Sequence, residues 1–141
     1  MKILILGGYG VFGGRLAKLL SDIPKVELLI CGRNLPYAEA FCAAYDGQTI
    51  VRPLKLDRGD IAEALRVERP DLVVDASGPF QDYGDNGYNV ITACISAGIS
   101  YLDFADAADF VFGVSQFDEQ AKAAGVFVLS GVSSFPLLTA A

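Results

Sequence analysis

The feature that most constrains this chain is a cluster of glycines directly behind a short apolar run at its start. Lys2-Ile3-Leu4-Ile5-Leu6 has the length and content of a strand buried on both faces, and Gly7-Gly8-Tyr9-Gly10-Val11-Phe12-Gly13-Gly14 follows at once. Gly8, Gly10 and Gly13 fit the spacing G-x-G-x-x-G. Leu16, Leu19 and Leu20 then supply one apolar face of a helix near 12–20. A strand, a tight turn and a helix N-terminus in that order present backbone N–H groups and the positive end of a helix dipole to an anion. The spacing gives each glycine a task. Gly8 permits the tight turn out of the strand, Gly10 lets the backbone approach a pyrophosphate, and Gly13 lets the helix close on the sheet. The expected ligand is a dinucleotide, with contacts from Gly8, Tyr9, Gly10, Val11, Phe12 and Gly13.

The rest of the chain repeats the alternation. Strands are expected at 2–6, 26–31, 49–56, 71–76, 100–104 and 126–130, and helices at 12–20, 36–45, 60–67, 87–97 and 115–124. Pro53 cannot donate to a sheet ladder, so the third strand belongs at an edge. Asp60 and Glu63 have the spacing of a capping box, Pro70 marks a break, and Gly98 and Gly125 sit where helix C-terminal glycines belong. Near-continuously apolar strands alternating with helices describe a parallel sheet covered on both faces. The expectation is a Rossmann-type, doubly wound α/β fold with six strands in the order 3-2-1-4-5-6. It occupies 1–131. The stretch 132–141, with Pro136 in the first turn of a new helix, reads as the start of a following region of a longer protein.

A second signal lies about twenty residues beyond the glycines, where an NAD-binding domain places an acidic residue for the ribose hydroxyls. Here the second strand ends in Cys31-Gly32-Arg33-Asn34, and Glu27 sits at the wrong end of that strand. Arg33 suits the 2′-phosphate of NADP, so NADP is the expected cofactor and NAD the less favoured one. Asn34 belongs to the same turn. In such sheets ligands bind at the carboxyl ends of the strands, and three more loops end there. Asp57-Arg58 is placed to flank the adenine, and Ser77-Gly78-Pro79-Phe80 lies toward the nicotinamide half. Asp103 and Asp106 read as structural.

Several functions are excluded or disfavoured. A formal net charge of -6 argues against nucleic acid, which needs a basic footprint. No apolar run approaches the roughly 20 residues of a membrane span, and the N-terminus lacks a signal-peptide pattern, so a cytoplasmic location is expected. There is no histidine, which removes Ser-His-Asp and Cys-His catalysis and histidine-ligated metals. Cys31, Cys42 and Cys94 form no C-x-x-C pair and read as small buried apolar side chains, so no metal is expected. No tyrosine has a lysine four residues later, so the proton relay of short-chain dehydrogenases is missing, as is any nameable catalytic group. The chain alone is therefore expected to be inactive as a dehydrogenase, and an exposed apolar surface is expected to favour a homo-oligomer.

Beyond the glycine fingerprint, the chain resembles the saccharopine dehydrogenase-like family, in its N-terminal NADP-binding domain. The resemblance is carried by Gly7-Gly8-Tyr9-Gly10-Val11-Phe12-Gly13, by Gly32-Arg33-Asn34, by Val74-Asp75-Ala76-Ser77-Gly78-Pro79-Phe80, and by Ala93-Cys94-Ile95-Ser96-Ala97-Gly98-Ile99-Ser100-Tyr101-Leu102-Asp103. It implies a cofactor role for Gly8, Gly10, Gly13, Arg33, Ser77 and Gly78. It also implies a following region that supplies the pocket for a small-molecule substrate. Gly131-Val132-Ser133-Ser134-Phe135-Pro136 departs from the Gly-Phe-Asp-Ser-x-Pro form of many relatives, so saccharopine itself does not transfer as substrate. Two other readings stand beside the oxidoreductase. One is a non-catalytic sensor of NADP(H), and the other, an epimerase-like protein, is disfavoured by the missing Tyr-x-x-x-Lys.

Overall fold

A computed structural model describes residues 1–132, apart from the side chains at 81, 83 and 85. The strands are β1 (Lys2–Leu6), β2 (Glu27–Gly32), β3 (Ile50–Lys55), β4 (Leu72–Asp75), β5 (Ser100–Asp103) and β6 (Val128–Leu129). All neighbours pair in parallel, in the order β3-β2-β1-β4-β5-β6. β3 stands at an edge and carries Pro53, as the missing donor requires.

Alternation along each strand sorts the core into two layers. Ile3, Ile5, Leu28 and Ile30 face α1 (Val11–Leu19) and α2 (Leu35–Ala43), which contribute Ala17 and Ala38. Leu4, Leu6, Leu29 and Val73 face α3 (Ile61–Glu68) and α4 (Asn89–Ala97), which contribute Leu65, Val90, Ile91 and Cys94. Leu4, Ile5, Leu28, Leu29 and Ile30 are fully buried, each contributing about 1.5–3 kcal/mol.

The expected boundaries shift where local chemistry decides. The range expected as one helix, 115–124, is a 3-10 turn (Val114–Phe117) followed by α6 (Asp118–Ala124), and a further short helix, α5 (Ala108–Gly113), precedes them. Phe110, Val114, Phe117 and Ala121 bury at helical spacing, so the apolar stripe starts ahead of the expected residue 115. α4 begins at Asn89 rather than 87, after a 3-10 stretch (Phe80–Asn86). Asp60 occupies the N-cap position of α3 but makes no capping bond, and Glu63 instead pairs with Arg66, so the capping box does not form. Gly98 and Gly125 do end their helices in the left-handed region.

Cys31 and Cys94 are buried, and burial pushes both thiols up, Cys94 to about 12. Cys42 is half-buried. Among the described residues, no cluster of three or more His, Cys, Asp or Glu side chains is placed to hold a metal. No helix of the described residues is long and apolar enough to cross a membrane. The helix expected to start at Pro136 lies outside the described residues.

Candidate cofactor-binding site

The glycine turn has the tight turn and close backbone approaches expected of it, but they are divided among the glycines differently. Gly7, not Gly8, has the left-handed φ of 71° that turns the chain out of β1. A Cβ on Gly7 would also lie 2.7 Å from the Ala76 carbonyl oxygen at the end of β4. Gly8 is needed for closeness: its Cβ would come within 2.9 Å of the Ile5 carbonyl oxygen and 3.0 Å of Ile30 Cα. Gly7 was missed in sequence because a double glycine fits the pattern in only one register. Gly13 behaves as expected, since a Cβ there would stand 2.3 Å from the Gly7 carbonyl oxygen. Gly10 is exposed, and its Cβ would meet only the Gly7 carbonyl oxygen, at 3.1 Å.

Gly10 caps α1 without a side chain, and the helical ladder starts with Gly14 N–H donating to the Gly10 carbonyl at 2.8 Å. The N–H groups of Val11, Phe12 and Gly13 therefore precede the ladder and point from the helix start. Val11 and Phe12 are 83% and 67% exposed, so both stand at the surface beside the turn.

At the end of β2 the turn is tied back to the glycine loop. Asn34 N–H donates to Tyr9 Oη at 3.1 Å, and a Cβ on Gly32 would sit 2.4 Å from the Tyr9 ring. Tyr9 also meets Tyr37 edge-on, with ring centroids 6.1 Å apart. The Asn34 carboxamide is used as the N-cap of α2, accepting from Tyr37 N–H at 3.3 Å. Arg33 between them is exposed and makes no hydrogen bond or ion pair among the described residues.

The β3 and β4 loops are joined by charge. Asp57 is exposed and caps its own 3-10 turn (Arg58–Asp60), accepting from Gly59 N–H at 3.0 Å. Arg58 turns inward and pairs with Asp75 at the end of β4, whose side chain is fully buried. Asp75 Oδ1 in turn accepts from Ser77 N–H at 3.0 Å and Ser77 Oγ–H at 2.6 Å. Ser77 is half-buried, whereas Gly78 and Pro79 are exposed, joined by a cis peptide bond. Asp75 was missed in sequence, although an acid closing the apolar run Leu72-Val73-Val74 was a readable signal.

A second buried carboxylate stands beside it. Asp103 ends β5 in register with Asp75. It accepts from Tyr101 Oη–H at 3.0 Å, Ala105 N–H at 2.9 Å, Ser130 Oγ–H at 3.0 Å and Gly131 N–H at 2.9 Å. Burial holds its carboxyl above the ordinary aspartate range, against these hydrogen bonds, which favour the charged form. Asp103 thus ties the β5 and β6 ends together, the structural role expected of it. Asp106 is exposed.

Residues 3–129 match the saccharopine dehydrogenase NADP binding domain. The chain belongs to that family. Its fold is similar to apo saccharopine dehydrogenase (L-Glu forming) from Saccharomyces cerevisiae, with TM-score 0.71 and 16% identity over 93% of this chain and 27% of that one. It is also similar to a 3-oxoacyl-[acyl-carrier protein] reductase with bound NAD from Brucella melitensis, with TM-score 0.66, 17% identity and coverage of 92% and 68%. GenD2 from gentamicin A biosynthesis in complex with NAD gives TM-score 0.63 and 19% identity over 93% and 34%. A search of curated protein sequences finds no match. The chain spans about a quarter (27%) of the length of the yeast enzyme. The domain is thus a pyridine-nucleotide-binding Rossmann domain of the saccharopine dehydrogenase family.

Proposed function

We propose that this domain binds NADP(H) in preference to NAD(H), and serves as the cofactor-binding part of an oxidoreductase acting on a small-molecule substrate. The observation that carries the preference is Arg33. It stands exposed directly behind β2, with Gly32 and Asn34 rather than an acid beside it. A guanidinium there meets a 2′-phosphate with charge-assisted, fork-shaped hydrogen bonds, and nothing acidic in the turn competes.

The residues fit the cofactor. The pyrophosphate would lie over Gly8 and Gly10 at the start of α1, where side chains are absent and the N–H groups of Val11, Phe12 and Gly13 precede the helical ladder. The adenosine would run toward Tyr9, Arg33 and Asn34, flanked by Asp57. The nicotinamide half would face Ser77, Gly78 and Pro79. When bound, the nicotinamide supplies the hydride chemistry. The domain's own residues hold and orient it.

Large apolar side chains remain exposed on this chain, among them Phe112, Phe127 and Leu129. Covering them between two copies of the chain would favour a homo-oligomer.

Calorimetric titration of the purified chain with NADPH and NADH tests the proposal. Tighter NADPH binding, without dehydrogenase turnover by the chain alone, is the expected result. Preference for NADH would refute the cofactor assignment.

A further inference from the structure

Arg58 follows β3, on the side of the sheet that flanks the adenine, yet its guanidinium is spent elsewhere. Nη1 pairs with Asp75 and donates to Ser77 Oγ at 3.3 Å. Nη2 donates to the Gly87 carbonyl at 3.0 Å and to Asn89 Oδ1 at 3.3 Å. Asn89 answers by donating from Nδ2 to the Arg58 carbonyl at 2.8 Å. One side chain, only 14% exposed, thereby joins three segments: the turn after β3, the loop after β4 and the start of α4.

These three segments are not neighbours in the sheet, because β2 and β1 lie between β3 and β4. Backbone pairing in the sheet therefore does not set the β4 loop against the β3 turn; Arg58 bridges them by side chain, alongside the packing of α3 on α4. The planar fork suits this task, since two nitrogens address four acceptors in fixed geometry, which an ammonium cannot reproduce.

We propose that Arg58 is a positioning residue that couples the two halves of the cofactor site. It holds Ser77-Gly78-Pro79, on the nicotinamide side, in a fixed place relative to the turn at Asp57, on the adenine side. This rests on the proposed dinucleotide site. Arg58 touches the cofactor through neither half; it acts through Ser77 and Asn89.

The test compares two probes on the purified chain. NADPH has both halves, and adenosine 2′,5′-bisphosphate has only the adenine half. Arg58→Lys keeps the charge opposite Asp75 but loses the fork. Asn89→Ala cuts the tie to α4 and leaves the Arg58–Asp75 pair in place. Both variants are expected to weaken NADPH by about tenfold and to reduce the fluorescence enhancement of the bound nicotinamide. Affinity for adenosine 2′,5′-bisphosphate should stay within roughly twofold of wild type. Equal losses for both probes, no loss for either, or an Asn89→Ala chain that no longer folds would overturn the coupling role. Wild-type protein that binds neither probe would instead remove the cofactor site itself, and the coupling with it.

Discussion

At the β1–β2 end of the site the chain is shaped by missing side chains, and at the β4–β5 end by buried carboxylates. The first region brings backbone against backbone. Gly7, Gly8 and Gly13 each leave a space that a Cβ would fill at 2.9 Å or less. The second region fixes its loops through Asp75 and Asp103, both fully buried and side by side in register. Two arginines show the contrast. Arg33 follows β2 and lies in solvent, while Arg58 follows β3 and is half-buried against the fully buried Asp75. A charge left in water is available to a ligand at little cost. A charge taken out of water must be paired, and then it holds structure.

The largest effect should come from breaking the buried pair. Arg58→Ala leaves Asp75 uncompensated, with an expected loss of about 3–5 kcal/mol in urea unfolding. A loss below about 1 kcal/mol would mean that Asp75 reaches water, and the contrast between the halves would fail.

Next comes the glycine side. Gly13→Ala pushes a methyl group into the Gly7 carbonyl, where the neighbour is backbone and cannot rotate away. About 2–3 kcal/mol of stability and most cofactor affinity should go together. Gly98→Ala, with a φ of 69° but open space around it, should cost about 1 kcal/mol and leave affinity intact. Equal effects of the two substitutions on binding would show that the turn is not a cradle.

A smaller, pH-dependent effect separates the halves electrostatically. Burial raises the Asp103 carboxyl, so the folded chain holds that proton more tightly than the unfolded chain. Its contribution is most favourable at low pH and is lost as pH rises from the ordinary aspartate range through the raised value. Glu68 behaves oppositely. The hydrogen bond and charge of Arg52, on β3, hold it low, so its contribution is lost as pH falls. Thermal melts between about pH 4 and 7 should show wild type losing stability relative to Asp103→Asn as pH rises. Wild type that stays level with, or gains on, Asp103→Asn as pH rises would contradict the burial assignment.

The two regions also differed in how far the sequence revealed them. Strand order and the place of the glycine turn were legible because period and spacing are local signals, and Pro53 marked the edge. The exchange of roles between Gly7 and Gly8 was not, since φ at a double glycine depends on where the strands touch. The Arg58–Asp75–Ser77–Asn89 arrangement spans 31 positions of sequence, and no local pattern joins residues across two intervening strands. The helical segment ahead of residue 115 was missed for a different reason. Phe110, Val114, Phe117 and Ala121 keep the i, i+4, i+7, i+11 spacing of one apolar stripe, so an earlier helix start at 108 was readable, whereas the 3-10 break at Val114–Phe117 leaves that period intact and has no sequence signal.

The smallest expected change in stability accompanies the most direct test. Arg33→Ala removes an exposed side chain and should shift unfolding by no more than about 0.5 kcal/mol. Calorimetric titration of wild type and Arg33→Ala with NADP and with NAD isolates the 2′-phosphate. NADP affinity should fall by about ten- to hundredfold, while NAD affinity stays nearly constant. Equal losses for both cofactors, or a wild-type preference for NAD, would contradict the account and leave Arg33 a solvated surface residue.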